Sequence, residues 1–498
     1  MPPTQLSTAC ALHLCRACEQ HPAAAAGTPV EDSARKWLQA QGGAVRCVRD
    51  VRVRDDEEEC VPGRDLAGRL STLLASLPAL TSIGGLVLEF TGTTAAAHQA
   101  FLAGAARAIA RCSSLQQLDL LIQLDTGLAG QPPLALVREL ASVRTLEDLR
   151  LKFEAGEASR ADWPAPFCLA HLVAGLAGLP RLRALYLMVV DVNDFDVGAT
   201  LPACVSRLAQ LTRLTLSGFH GLCCERGWAR LPALAELYFD ECVFASDGES
   251  ALPGMAGLVA LTSFHVWKCP SLRMLPASLW GLTQLRDLAH GGDYSGLGLA
   301  PHDALPLTFV PAGGAPCFAS LTDLMLAGSR LQAVPTGALA ATRLTHLDLM
   351  GCCFEQLPEV VSELIGLEEL CLGRHAAVGS QIGGTLDARA LGSLAGFPSL
   401  RHLQVGSSEL LLCPSFQAAA AHPRLERLLL TVSYPAPGPS FRAVLGFVTG
   451  LLQRGRPDVL ELHRSVVTGA ARRNSRNFRA ALEGWGYSLS NADSHDLV

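Results

Sequence analysis

A phrase that returns on a fixed beat constrains this chain more than any other feature. Leu321-Thr-Asp-Leu324-Met-Leu326 is followed by Leu344-Thr-His-Leu347-Asp-Leu349 and Leu367-Glu-Glu-Leu370-Cys-Leu372, each 23 residues after the last. An L-x-x-L-x-L phrase at such a period marks a chain in which every unit lays down one short strand and returns by an outer arm. No unit can bury its own leucines, so neighbours must stack and the core grows one repeat at a time. The 498 residues therefore need not divide into several globular domains, as that length would otherwise suggest.

The phrase extends well beyond these three copies. Val48-Arg-Asp-Val51-Arg-Val53 reads as a degenerate first unit, followed by units at Ile83, Leu115, Leu146 and Leu182. The early spacings of 31 to 36 residues leave room for a helix on the outer arm, and Ala95 to Arg111 and Leu134 to Ser142 have the composition for one. Tighter units begin at Leu211, Leu234, Leu261 and Leu285, and later ones at Leu400 and Leu425, with a last strand at Val459 to Leu462. Pro276 and Pro358 start returning arms, where proline's fixed φ suits a short helical turn. Residues 291–316 are rich in Gly and Pro and form either an insertion or a degenerate unit. The expected organisation is a flexible Cys- and Ala-rich segment over 1–29, a repeat array over 30–462 with a helix at Glu31 to Gln41, and a C-terminal capping segment over 463–498.

Units of the form Leu-Pro-x-x-Leu-x-x-Leu-x-x-Leu, clearest at Leu275 to Leu288 and Leu357 to Leu372, resemble the intracellular leucine-rich repeat proteins of the Shoc2-like and plant disease-resistance type. The resemblance spans about Val48 to Leu462. It implies an α/β leucine-rich repeat solenoid, a horseshoe with a concave parallel β-sheet and a helical or irregular outer face. It also implies a protein-binding scaffold or adaptor. The asparagine ladder of that family is missing, the periods are uneven, and no nucleotide-binding loop precedes the array. Cys242, Cys269 and Cys352 occupy the ninth position of their units, where a small polar or thiol side chain satisfies backbone groups at the turn.

Composition narrows the function. A formal charge of −6 and a pI near 6.2 disfavour broad attraction to nucleic acid or anionic membrane. The N-terminus lacks a secretory signal pattern and the four asparagines form no glycosylation sequon, so the 17 cysteines point to a reducing cytoplasm. No apolar run is long enough to insert in a membrane. Cys10, His13, Cys15, Cys18 and His21 are zinc-compatible ligands crowded into one stretch, more simply read as reduced thiols without a metal. Phosphate-binding, zinc-protease and serine-hydrolase motifs are all missing, so neither catalytic residues nor a cofactor are expected.

Side chains alternate along a strand, so the x positions flanking the leucines face the concave side. The richest set there is Tyr186 and Met188, Tyr238 and Asp240, His265 and Trp267. Exposed Trp and Tyr dominate binding hot spots, which makes this register the expected protein-binding site, with packing of the rings on one another or on a neighbouring loop as the alternative. His346 and His402 also fall at x positions, as exposed surface residues. The expected protein is a non-enzymatic adaptor, monomeric when free, with a protein partner. Alternatives are a structural component of a cytoskeletal or axonemal assembly and a substrate receptor of a ubiquitin ligase.

Overall fold

The computed structural model describes residues 13–15, 46–49, 52–55, 66–75, 77–90, 95–124, 134–155, 169–190, 199–291, 320–327, 343–350, 361, 363–372, 397–405, 422, 424–430 and 460–462. The chain forms two compact units, Met1–Leu261 and Thr262–Val498.

In the first unit the strands are β1 His13–Cys15, β2 Cys47–Arg49, β3 Arg52–Asp55, β4 Ser82–Phe90, β5 Gln117–Leu124, β6 Asp148–Ala155, β7 Ala184–Val190, β8 Thr200–Leu201, β9 Arg213–Ser217, β10 Cys223–Cys224 and β11 Glu236–Asp240. Strands β4, β5, β6, β7, β9 and β11 pair in parallel in that order. β2 and β3 are successive pieces laid along β4, and β1 pairs in parallel with β3. β1 thus lies inside the stretch expected to be a flexible lead-in. β8 and β10 form a separate parallel pair.

Leucines at the first, fourth and sixth positions make the core, as Leu115, Leu118 and Leu120 or Leu234, Leu237 and Phe239 show by their complete or nearly complete burial. Each such side chain contributes roughly 1.5–3 kcal/mol by burial. One unit departs from the expected register. Ile83 pairs with Leu118, the fourth position of its neighbour, and Leu86 with Leu120, the sixth. The unit therefore begins at Leu80, and one extra residue is accommodated at Gly84-Gly85, with Gly85 at φ 68°. Val48 likewise pairs with Ile83 and so holds a fourth position, not a first.

The outer arms follow the spacing. Long units carry helices α1 Leu66–Ala75, α2 Ala95–Ala110, α3 Leu134–Leu140 and α4 Leu169–Leu176. α2 is alanine-rich, which favours helix, and α4 buries Leu169, Leu172, Val173 and Leu176 at three- and four-residue steps. Where the period shortens, the arm contracts to 3-10 turns at Ala203–Arg207 and Met255–Gly257. Pro202 precedes the first of these with φ −79°.

The second unit contains β12 Ser263–Trp267, β13 Asp287–Gly291, β14 Asp323–Met325, β15 His346–Asp348, β16 Glu369–Leu372, β17 His402–Val405, β18 Arg427–Leu430 and β19 Leu460–Leu462, paired in parallel in chain order. Pro276 precedes a 3-10 turn at Ala277–Gly281, as expected for the returning arm. β13 pairs directly with β14, with no strand between them. Residues 292–316, the arm at Leu357-Pro358, the helix expected at Glu31 to Gln41, Cys352 and the capping segment after residue 462 lie outside the described residues.

A repeated hydrogen-bond device holds the register in both units. The second-position carbonyl of each strand accepts two N–H groups from the next: Thr212 and Arg213 donate to Arg183 O, Ala235 and Glu236 to Thr212 O, and Thr345 and His346 to Thr322 O. Threonine at this position adds its hydroxyl to the same carbonyl, at 3.0 Å for Thr212 and 3.2 Å for Thr345. The ninth-position thiols behave as expected. Cys242 Sγ lies 3.4 Å from Leu216 O and 3.4 Å from Asp240 O, and Cys269 Sγ 3.3 Å from Trp267 O. Phe219 fills the same place in the Leu211 unit with a buried ring. The residue just before each is left-handed: Gly218 at φ 75°, Glu241 at 52° and Lys268 at 51°.

Candidate functional site

With the leucines turned inward, the third, fifth and seventh positions of each strand form an open sheet face. Every expected site residue sits on it. Tyr186, Met188, Tyr238 and Asp240 belong to the first unit, His265 and Trp267 to the second. All six are partly exposed, unlike the leucines beside them.

On the first unit's face, two of the acids have cations close by. Asp148 on β6 lies 3.7 Å from Arg150 and 3.8 Å from Arg213, and Asp119 lies 3.8 Å from Lys152. Among these pairs stand the aromatic rings. The Tyr186 hydroxyl donates to Met188 Sδ at 3.0 Å, Ser217 donates to Asp240 at 3.3 Å, and the Tyr238 hydroxyl lies 3.5 Å from Glu236. Burial pushes the Tyr186 phenol up, with Asp240 and Asp119 adding to the shift and Arg150 and a Ser217 hydrogen bond opposing it. It therefore remains a donor at physiological pH.

The second unit's face differs in kind. His265 Nε2 lies 2.6 Å from Asp287, and Ser263 Oγ lies 3.1 Å from each of them. A nucleophilic relay needs serine and carboxylate on opposite ring nitrogens. Here both converge on Nε2, so the trio is a closed hydrogen-bond triangle and not a relay. Farther along the third-position row, His346 Nδ1 lies 2.9 Å from Asp323, His346 Nε2 3.7 Å from Glu369, and His402 Nδ1 3.6 Å from the same Glu369 oxygen. Read as isolated exposed histidines, His346 and His402 hide this arrangement, because it appears only when successive repeats are aligned by their third positions.

Trp267 is committed to packing. It lies against a buried cluster of Ala327 and Met350, each just past the end of its strand, and Cys371 on β16. β13 carries a glycine at the seventh position, Gly291, where a Cβ would overlap Ala327 O. Trp267 thus packs on aliphatic and sulfur-bearing side chains of its own face and not on another ring, while the Tyr186 hydroxyl is held by Met188 Sδ and the Tyr238 hydroxyl lies near Glu236. Asp348, next to this cluster, accepts the Met350 N–H at 2.9 Å. Burial pushes its carboxyl up to about 6, the Met350 N–H bond opposing and Glu369 adding. Among the described residues no group of three or more His, Cys, Asp or Glu could hold a metal ion. Of the N-terminal Cys/His set only His13 and Cys15 are described, both in β1.

These features define a leucine-rich repeat protein of the α/β class. No family profile matches the sequence and no curated protein is similar to it in sequence. Among solved structures, a leucine-rich repeat protein of Leptospira interrogans shares 15% identity over 86% of this chain and 98% of its own, with a TM-score of 0.38. The plant peptide hormone receptor RGFR1, solved in complex with RGF2, shares 13% over 79% of this chain and 57% of its own, at 0.40. Toll of Drosophila, solved in complex with Spatzle, shares 14% over 78% and 51%, at 0.41. The chain spans just over half the length of the two receptors. Among the described residues no helix is long and apolar enough to cross a membrane.

Proposed function

We propose that this protein is a non-enzymatic scaffold that binds another protein on the open faces of its parallel strands. The observation that carries the reading is the sorting of side chains. Every second residue of β6, β7, β9 and β11 is a buried apolar side chain, while most of the residues between them, such as Arg150, Tyr186, Thr215, Tyr238 and Asp240, reach solvent. Rigid backbones holding a row of chosen side chains make a recognition surface. The triangle at Ser263, His265 and Asp287 supports the non-enzymatic part, because it lacks the geometry of a relay. Tyr186 and Tyr238 are the anchors on the first unit's face, flanked by Met188 and Asp240; on the second unit's own face His265 is the candidate contact, since Trp267 is taken up by packing.

The test is a comparison of wild type with Tyr186→Ala/Tyr238→Ala by affinity purification from the native cell. Alanine at two such anchors is expected to weaken capture of a specific partner by about 2 kcal/mol or more. Far-UV circular dichroism must stay unchanged. Equal capture by both proteins would remove the first unit's face from the binding role.

A further inference from the structure

The edge where the strands of the first unit begin carries a charge that the chain as a whole does not. Repeats enter their strands through a common turn, in which the N–H of the first leucine donates to the carbonyl three residues earlier: Leu115 to Cys112, Leu146 to Val143, Leu211 to Leu208 and Leu234 to Leu231. From four residues before that leucine to one after it, the units at Leu115, Leu146, Leu182, Leu211 and Leu234 hold Arg111, Arg144, Arg181, Arg183, Arg207 and Arg230 against the single acid Glu147. Their strands β5, β6, β7, β9 and β11 are successive neighbours, so the arginines fall in one row along one edge. All six are exposed. Arg111 donates to Ser71 Oγ at 2.6 Å; among the described residues the guanidinium groups of the other five have no ion-pair or hydrogen-bond partner. The formal charge of the whole chain is −6, so the row runs against its composition. The second unit's edge is mixed: Arg286, Arg343, Arg401 and Arg424 share it with three glutamates, of which Glu426 lies 3.3 Å from Arg401.

We propose that this row binds an acidic segment of a protein partner, a stretch of successive Asp and Glu residues laid along the strand-entry edge. Guanidinium groups with only one acid among them are matched by a segment that brings several, and arginine's planar fork takes a carboxylate through two hydrogen bonds. The match does not depend on a fixed register, because arginine side chains are long and neighbouring strands stand only roughly 4.8 Å apart. The narrowness of the row selects a chain over a larger polyanion. On the sheet side it is bounded by the third-position acids Asp148 and Glu236, Asp148 lying within 4 Å of Arg150 and Arg213. A duplex or a bilayer would lay its own negative charge across those acids. The same stretches contain no aromatic residue on which bases would stack, and none of the exposed large apolar residues that would enter a lipid surface. The edge is distinct from the open face that carries Tyr186 and Tyr238, so the two sites do not depend on each other.

The test uses the full chain and a short acetylated glutamate-rich peptide with Gly/Ser spacers, read by fluorescence anisotropy beside its glutamine analogue and a single-stranded oligonucleotide, with phosphatidylserine vesicles assayed by co-sedimentation. The glutamate peptide is expected to bind, to weaken as salt is raised, and to bind about tenfold or more weakly to Arg181→Gln/Arg183→Gln/Arg207→Gln. Should that variant lose its fold, Arg144→Gln/Arg230→Gln carries the same expectation at smaller size. A charge-matched control on the second unit's edge, Arg286→Gln/Arg343→Gln/Arg424→Gln, should bind like wild type. Equal binding to the two triple variants, equal binding of the glutamine peptide, or tighter binding of the oligonucleotide or the vesicles overturns the proposal. The glutamate peptide should also bind Tyr186→Ala/Tyr238→Ala like wild type, so failure of the edge and failure of the open-face site are told apart.

Discussion

Asp348 is a carboxylate in an unfavourable place. In the folded protein it holds its proton up to about pH 6, against an ordinary value of 3.8, because burial disfavours the charge more than the Met350 N–H bond favours it. The native state therefore binds more protons than the unfolded chain between those limits, and stability falls as pH rises through them. Above that window the penalty is constant at about 3 kcal/mol. Asp348→Asn keeps an oxygen for the Met350 N–H and removes the charge. Urea unfolding should show the variant more stable than wild type above about pH 7, with the gain vanishing near pH 3.5. A gain of equal size at both ends would mean that something other than ionisation is responsible. At this scale the sequence is only partly legible. Cys242 and Cys269 follow from counting nine positions, but the commitment of Trp267 to packing depends on Gly291 and on Ala327 in a much later repeat.

Between strands, register is set by buried leucines and by the doubly used second-position carbonyls. A residue that must be left-handed ends the strand. Gly218, at φ 75°, has no room for a side chain, since a Cβ would overlap Val189 O on the neighbouring strand. Gly218→Ala should cost about 3 kcal/mol, combining a disfavoured φ with a backbone clash, as a shift in the denaturant midpoint. The arm helices at Ala95–Ala110 and Leu134–Leu140 were legible because long spacing and alanine-rich composition agree there. The unit at Ile83 was not. Leu80-Thr-Ser-Ile83 and Ile83-Gly-Gly-Leu86 fit the phrase equally well, and only pairing with β5 shows that the glycines hold an extra residue. A bulge of this kind leaves hydrophobic spacing intact in both readings, so periodicity cannot choose.

For the whole molecule, the repeat phrase determines architecture and says little about what is bound. The open faces are encoded in exactly those positions that the phrase leaves blank, so their chemistry emerges only when repeats are stacked in register. The aromatic pair Tyr186 and Tyr238 could be picked out because tyrosine is rare here, with 5 in the chain. The acid and histidine row could not, because each member looks like an ordinary surface residue in its own repeat. An array of stacked strands has a boundary at its first strand, where backbone hydrogen-bonding groups seek a neighbour. In the first unit β1 lies along β3, so three residues of the N-terminal stretch stand between the register of β3 and that exposed boundary. Sheet boundaries are where identical chains recruit one another. Trimming residues 1–29 would then be less innocuous than their composition suggests: light scattering should show concentration-dependent self-association of the shortened chain where the full chain shows none, and an unchanged mass would show that β1 is not a guard against it.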